Sequence, residues 1–454
     1  MSVWEALRNS NRVQNIEDVF AGHDATSPAM KRAIAEWLSV YYGEARDAER
    51  DPCDRLPAAI VSKLYKTVFS EYTATAQGSR AAFFQDALDR LHGVQRRAVQ
   101  MQLVGGECLI KPVPRGGSFD FVLIRRDRFL PFARDELGRL VSVGTAEQTA
   151  EDGKLYTLLE RRTAQQSGEL LIESRLFCRK IGDAGTIGKE VPLSTLPKYK
   201  ELLPQMVIPG VGCVGMAQLR TPNENTVDGS PDAVSVYAAA MGLIRAEERN
   251  QRMLEQEFEN GASRIIASAD MLSRTPDGKQ ALTDTLFVGL DDDPSAVGVT
   301  VFSPALREAS YLARKQDILR STETLIGLKR GILSEVEATE RTATEITSSA
   351  GDYNLTILDF QAEWTKAVRE LMQICTSLGA WYGLCPGGTF APEDIVLDYG
   401  DGVLYNRDKT WQELRDMVAA GLLKPELALA WYYELPHDTP EQLAQIREMY
   451  MPEG

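Results

Sequence analysis

Histidine is nearly missing: His23, His92 and His437 are the only three in 454 residues. Six cysteines (Cys53, Cys108, Cys178, Cys213, Cys375 and Cys385) are scattered without a C-x-x-C pair. That leaves little material for a zinc site, and the scatter fits buried thiols in a reducing compartment better than a disulfide framework. The chain does not open on a basic segment followed by an apolar one, so no secretory signal is expected. No uninterrupted apolar run approaches the roughly 20 residues of a membrane helix. The G-x-x-x-x-G-K-[ST] phosphate loop and the G-x-S-x-G nucleophile elbow are both lacking, and Gly210-Val211-Gly212 runs into Cys213 instead of a third glycine. Positive charge is also short: 50 Lys plus Arg face 65 Asp plus Glu, a formal charge of −15. A protein that grips nucleic acid through phosphates is normally basic, so any DNA contact here is built for release. These absences point to a soluble intracellular or particle-associated protein, with no cofactor expected.

What is present has globular composition, 44% hydrophobic and 25% charged, and a length that calls for two to four packed units. Residues 1 to about 103 read as helical: Ile34, Trp37 and Leu38 fall at 3/4 spacing and Ala81–Val104 continues the style until Gly105-Gly106. To about residue 192 the pattern becomes short strands, namely Cys108–Val113, Phe119–Arg125, Leu155–Glu160 and Glu169–Cys178, divided by glycine-rich turns. Residues 204–232, rich in Pro and Gly, read as a long connection poor in regular structure.

A long helix is then expected from Ala233 to Glu259, its second half (Arg245, Glu247, Glu248, Arg249, Arg252) charged almost all round. Such a helix suits water or a neighbouring subunit better than a core. Three strand candidates come next, Arg264–Ser268, Thr285–Leu290 and Gly298–Phe302, in a module of about 45 residues with six acidic and three basic side chains. A second helix, Leu306 to Gly327, returns from it. The sequence therefore inserts a small β-module between two helices. After the polar stretch Leu328–Arg341, an amphipathic helix is expected from Tyr353 to Leu378, with Ile357, Phe360, Trp364, Val368, Leu371 and Cys375 on one stripe. A strand at Asp394–Asp398 and a helical tail from Asn406 close the chain. In that tail Thr439-Pro440-Glu441-Gln442 has the capping-box pattern.

Candidates for chemistry are few. Asp291, Asp292 and Asp293 resemble a carboxylate cluster, yet consecutive strand residues alternate faces, and a solvated turn before Pro294 explains them as well. Each histidine reads as a surface or packed residue. The run Arg125-Arg126-Asp127-Arg128 at a strand end either touches phosphate or an acidic partner, or is a charged edge or inter-subunit ion pair. One reading from a different class is a metal-dependent nucleic-acid-processing enzyme using Asp291, Asp292, Asp293, Glu247 and Glu248 for magnesium, and the other is a structural, assembly role.

The order of parts resembles the portal proteins of tailed bacteriophages, of the type found in long, non-contractile-tailed phages and their prophages, across roughly residues 30 to 450. The resemblance is carried by Gly105-Gly106-Glu107-Cys108-Leu109-Ile110-Lys111-Pro112, by Leu155–Glu160 followed by Glu169–Phe177, by Arg341-Thr342-Ala343-Thr344-Glu345-Ile346 with Tyr353–Ile357 and Gln361, and by Met417–Ala428. Leu328–Arg341 departs from the family pattern in being more charged.

The resemblance implies an α+β, portal-type fold: a helical and β wing (1–232, with 346–405 returning to it), a two-helix stem (233–261 and 306–327), a β-containing clip (262–305), a channel loop (328–345) and an α-helical crown (406–454). It implies a ring, commonly of twelve subunits, at one capsid vertex of the virion, assembled in the host cytoplasm, without catalysis, cofactor or membrane. Double-stranded DNA would pass through it. The terminase large subunit, head-completion or adaptor proteins, and the major capsid and scaffolding proteins would meet it. On this reading Lys329, Arg330, Glu335, Glu337, Glu340 and Arg341 line the channel, and Arg245, Glu248, Arg249 and Arg252 meet a neighbouring stem. Asp291, Asp292 and Asp293 would face a partner. The channel loop, too polar for core, should lose Ser334–Ala338 without loss of folding, with Gly331 as its flexible point. Residues 392–454 hold 13 acidic and five basic side chains, which suits either an acidic channel wall or an ordinary solvated surface.

Overall fold

The structure, a computed structural model, describes residues 16–43, 55–183, 187–261, 264–267, 272–274, 280–282, 299–302, 305–335, 343–385, 387–400, 407–433, 435 and 439–451. Its first part is helical as the periodicity dictates: α1 (Ile16–Phe20), α2 (Pro28–Tyr42), α3 (Leu56–Val68), a short strand β1 (Thr73–Ala76), then α4 (Ala81–Gly105). Helix α2 starts on two local signals. Ser27 Oγ accepts a hydrogen bond from the Met30 amide at 3.1 Å, and Pro28 fills the first helical position. Ile34, Trp37 and Leu38 all turn into the core. Helix α4 stops where the paired glycines fall. Gly106 takes φ 83° and donates to the Gln102 carbonyl at 2.7 Å, and a Cβ at that position would collide with the Ala233 carbonyl. Only glycine meets both demands.

The next strands are β2 (Glu107–Arg115), β3 (Ser118–Arg125), β4 (Phe129–Arg134), β5 (Leu140–Glu151), β6 (Lys154–Ala164), β7 (Leu170–Lys180), β8 (Lys189–Val191), β9 (Gln205–Ile208) and β10 (Ala217–Arg220). They form two antiparallel sheets. One has the order β10-β2-β3; the other runs β4-β5-β6-β7-β8, with β9 also pairing β7. Strands β4 and β5 have no counterpart in the sequence reading, and 204–232 is less irregular than its Pro and Gly content suggests. Strand β5 is buried at its start and solvated at its end, so it shows neither alternation nor a uniform apolar run. Strands β9 and β10 are four residues each, and pairing with β7 and β2 makes them strands more than local propensity does.

Two helices enclose the small module. Helix α5 (Met241–Asn260) begins eight residues later than Ala233, preceded by a 3-10 turn at Ala238–Ala240, because Ser235 and Val236 bond to the Leu103 carbonyl near the end of α4 in a non-helical stretch. Inside the module β11 (Arg264–Ala267) pairs antiparallel with β14 (Val299–Phe302), and β12 (Leu272–Arg274) with β13 (Gln280–Leu282). The expected strand Thr285–Leu290 lies outside the described residues. Helix α6 (Glu308–Ile326) matches its sequence bounds closely.

Helix α7 (Ala343–Trp381) is 39 residues long and begins well before Tyr353, because the polar start of the helix carries no apolar stripe for sequence reading to find. Its stripe of Ile357, Phe360, Trp364, Val368, Leu371 and Cys375 is buried in the main core, against α2, α3, α4 and the β10-β2-β3 sheet. Strand β15 (Ile395–Asp398) then pairs antiparallel with β1, which returns the chain to its first hundred residues. The fold class is α+β.

Residues 400–454 form a second compact unit. It holds α8 (Arg407–Ala419), α9 (Pro425–Tyr433) and α10 (Pro440–Tyr450). The capping box at the start of α10 is formed on both sides: Thr439 Oγ accepts from the Gln442 amide and Gln442 Oε1 from the Thr439 amide at 3.1 Å. No described helix of the chain is long and apolar enough to cross a membrane.

Candidate functional site

Helices α5 and α6 run antiparallel and touch along their length. Near the core, the Lys315 ammonium lies 3.2 Å from the Glu247 carboxylate; midway, Asn250 Nδ2 donates to the Tyr311 carbonyl at 3.0 Å; at the module end, Arg307 clasps Glu257 with bonds of 3.0 and 2.6 Å. The Arg307 guanidinium holds the Glu257 carboxyl below its usual range. At the same end Leu306 packs so closely on Gly261 that a Cβ there would overlap it. The pair therefore behaves as one element that carries the β-module at its end.

The reading of α5 as charged all round needs correction. Ile244 and Leu254 are buried on it, and so are Glu247 and Glu248, covered by the chain's own α6 and core. Arg245 reaches back to Glu36 of α2 at 2.5 Å, an internal ion pair. Arg252 is half-buried, Glu248 is buried, and Arg245 and Arg249 are exposed. Glu247, held by Lys315, does not offer a hard-cation ligand with Glu248, which sits on the next position round the helix. Asp291, Asp292 and Asp293 lie outside the described residues. Among the described residues no three His, Cys, Asp or Glu side chains gather as a metal site.

Helix α6 ends in an anchored loop. Gly327 adopts φ 75°, and its amide and that of Leu328 turn back to the carbonyls of Thr324 (3.4 Å) and Glu323 (2.8 Å), the two bonds of a Schellman motif. A Cβ on Gly327 would also press on Thr356 Oγ1 of α7, at 2.5 Å. The fully buried Glu323 carboxylate then organises residues 331–334. Its Oε1 accepts from the amides of Gly331 (3.1 Å), Leu333 (2.6 Å) and Ser334 (2.9 Å), and its Oε2 accepts from Ser334 Oγ at 2.7 Å. Gln316 adds a bond from the Glu335 amide to its Oε1 at 2.8 Å.

This corrects the idea of a wholly polar, freely removable loop. Leu328 and Ser334 are buried, Ile332 and Leu333 pack on the core, and Gly331 is fixed at φ 91° with its amide engaged. Lys329, Arg330 and Glu335 are the exposed residues of the described part. Glu337, Glu340, Arg341 and Thr342 lie outside it.

The run Arg125-Arg126-Asp127-Arg128 is not the simple charged edge the sequence suggested, since Arg126 and Asp127 within it are buried. Arg126 is fully buried. Its Nη2 donates to Thr26 Oγ1 at 2.8 Å and lies 3.3 Å from Asp232, while Arg134 joins Glu107 (2.7 Å) to the same Asp232 (3.0 Å). Burial alone would raise the Glu107 carboxyl, but Arg134 and Arg126 outweigh it and hold it at about 2. Arg125 is forked onto both oxygens of Asp127, at 2.5 and 2.6 Å. This buried network joins the start of β2, the β3–β4 turn and the approach to α5. Reactive side chains are scarce around it: burial pushes the thiols of Cys108 and Cys213 up to about 12, so neither is a ready nucleophile. Cys178 and Cys385 are half-buried and Cys375 is buried; Cys53 and His437 lie outside the described residues, and His23 and His92 are exposed.

No family model matches the chain, and no curated protein does. Among solved structures, the fold is similar to a chain in the neck of a native gene transfer agent particle computed with twelvefold symmetry: 12% identity, TM-score 0.44, covering 90% of this chain and 95% of that one. It is also similar to a chain of the virion of a native gene transfer agent particle, with 13% identity and a TM-score of 0.41 over 91% and 97% of the two chains.

Proposed function

We propose that the chain is the subunit of a ring-forming portal in a phage-like particle, a conduit for double-stranded DNA and a docking hub for the packaging motor and head-completion proteins. The observation that carries the reading is the antiparallel α5–α6 pair, which bears a β-module at one end and at the other returns into a loop anchored by Glu323 before the 39-residue α7. In this reading α5 and α6 are the stem and 262–305 the clip. The loop 328–345 faces the channel, residues 1–232 with 346–405 make the wing, and 406–454 the crown. The acidic balance of −15 suits a channel that must let DNA of any sequence slide, because phosphate affinity comes chiefly from Lys and Arg. Lys329 and Arg330, exposed beside the anchored residues 331–334, supply brief contacts.

Negative-stain imaging and native mass measurement of the purified full chain test the proposal. Rings with a central hole are the expected result, with a mass near twelve times 50.3 kDa. Monomers or open filaments across a range of concentrations would refute it.

A further inference from the structure

A cleft of about 1050 Å³ opens between α4, β3 and the outer half of β5, and no residue of the helix pair lines it. Its walls carry six cationic side chains, including Arg96, Arg97 and Arg128, against two carboxylates, Glu147 and Glu160. In a chain of net charge −15 this is a local reversal of sign. Three of the cations are neutralised within the protein: Lys111 lies 2.8 Å from Glu160, Lys198 pairs with Glu147, and Arg125 is forked onto Asp127. The other three are not matched so closely. Arg96 stacks over Tyr65, Arg128 stands 4.0 Å from Asp127, and Arg97 has no ion pair among the described residues.

The backbone facing the cleft is as informative as the charge. Val122, Leu123 and Ile124 of β3 line it in succession, as do Thr145, Ala146, Glu147 and Gln148 of β5. Successive strand residues point to opposite faces, so a cavity that meets three or four in a row is meeting a strand edge. The pairing agrees. Strand β3 is terminal in the order β10-β2-β3, and β4 pairs with β5 only as far as Thr145, which leaves Ala146 onward without a strand on that side. Val122, an apolar residue, is 48% exposed there. A nucleic acid would leave those strand edges unused, whereas an extended peptide can pair with them.

We propose that this cleft is a docking site for an extended, acidic peptide segment of a partner protein. The segment adds as a strand to an edge, sets alternate apolar side chains against Val122 and its neighbours, and places carboxylates on Arg96, Arg97 and Arg128. The proposal does not depend on ring assembly. Fluorescence anisotropy on the purified full chain tests it, with a short labelled peptide alternating Glu and Val as probe. Binding should weaken on adding salt, and Arg97→Glu with Arg128→Glu should weaken it about a hundredfold, roughly tenfold for each reversed charge–carboxylate contact. Both side chains are on the surface, so an unchanged melting temperature certifies that the double variant is folded. A peptide of the same charge with proline at its centre, which lacks the central amide, should bind at least tenfold more weakly. Three results would overturn the proposal: no binding of the Glu-Val peptide, equal binding of the proline peptide, or tighter binding of a single-stranded oligonucleotide that the double variant abolishes.

Discussion

Replacing Glu323 with alanine should release the segment after α6 while leaving the rest of the protein folded. The carboxylate is fully buried and accepts four hydrogen bonds from residues eight to eleven positions ahead. Hydrogen bonds to a charged group contribute about 1.5–3 kcal/mol each, but they share one anchor and the released amides regain water, so a net of about 3 kcal/mol is the reasonable figure. That free energy corresponds to opening about 150-fold more often. Hydrogen exchange followed by mass spectrometry reads it directly: peptides covering Gly331 to Ser334 should exchange about two orders of magnitude faster in Glu323→Ala. Glutamine keeps an oxygen for the three amides and loses mainly the charge, at about 1 kcal/mol, so Glu323→Gln should accelerate the same peptides only about fivefold. The amides of Gly327 and Leu328 are an internal control, since they bond to main-chain carbonyls that neither substitution removes. Unchanged exchange at 331–334 in the alanine variant would refute the anchoring role. Acceleration spread evenly over the whole chain would refute its being local.

Two further substitutions test buried charge. Arg134→Met should cost about 3–5 kcal/mol in urea denaturation at pH 7, because it strips Glu107 of its two shortest arginine bonds inside the core. The Glu107 carboxyl sits at about 2, below its ordinary value, so its stabilising contribution is full above about pH 5 and is lost as pH falls towards 2; that acid slope should flatten in the variant. Glu370 on α7 is the opposite case: burial raises it to about 7, so the folded state holds the proton more tightly and stability is lost as pH rises from about 4.5 through 7. Glu370→Gln should be more stable than the parent by roughly 2–3 kcal/mol at pH 8 and equal to it near pH 4, while keeping the bond from the Gln218 amide; an identical pH profile would refute this.

Periodicity and glycine placed most of the elements because both are local. Trp37 and Trp364 lie on stripes that any 3.6-residue period reveals, and Gly106 and Gly327 stop their helices through a conformation that belongs to glycine itself. The misses are of another kind. Arg126 reads as surface because arginine is mostly exposed, and nothing near it in sequence hints at Thr26, a hundred positions before it, or Asp232, 106 positions after it. Strands β9 and β10 exist because β7 and β2 offer them an edge, a property of the assembled sheets and not of four-residue words.

Glu323 shows why the candidate site was only half legible. A carboxylate in the last turn of a helix opposes the helix dipole, so by local rules it is a poor choice there. The position makes sense only once the chain beyond Gly327 folds back and presents three amides and a hydroxyl to it. The charges of Lys329 and Arg330 could be read because they are exposed and need no partner to be recognised; the anchor could not, because its partners become neighbours only in the fold. The described residues of the loop divide the physical work accordingly. Residues 331–334 are fixed to α6 by a buried ion whose removal frees them, and Lys329 and Arg330 are exposed cations whose removal should leave the fold untouched. Among the described residues of the loop, any role in gripping or passing a polyanion therefore rests on Lys329 and Arg330, and any role in holding that grip at a set distance from the helices rests on Glu323.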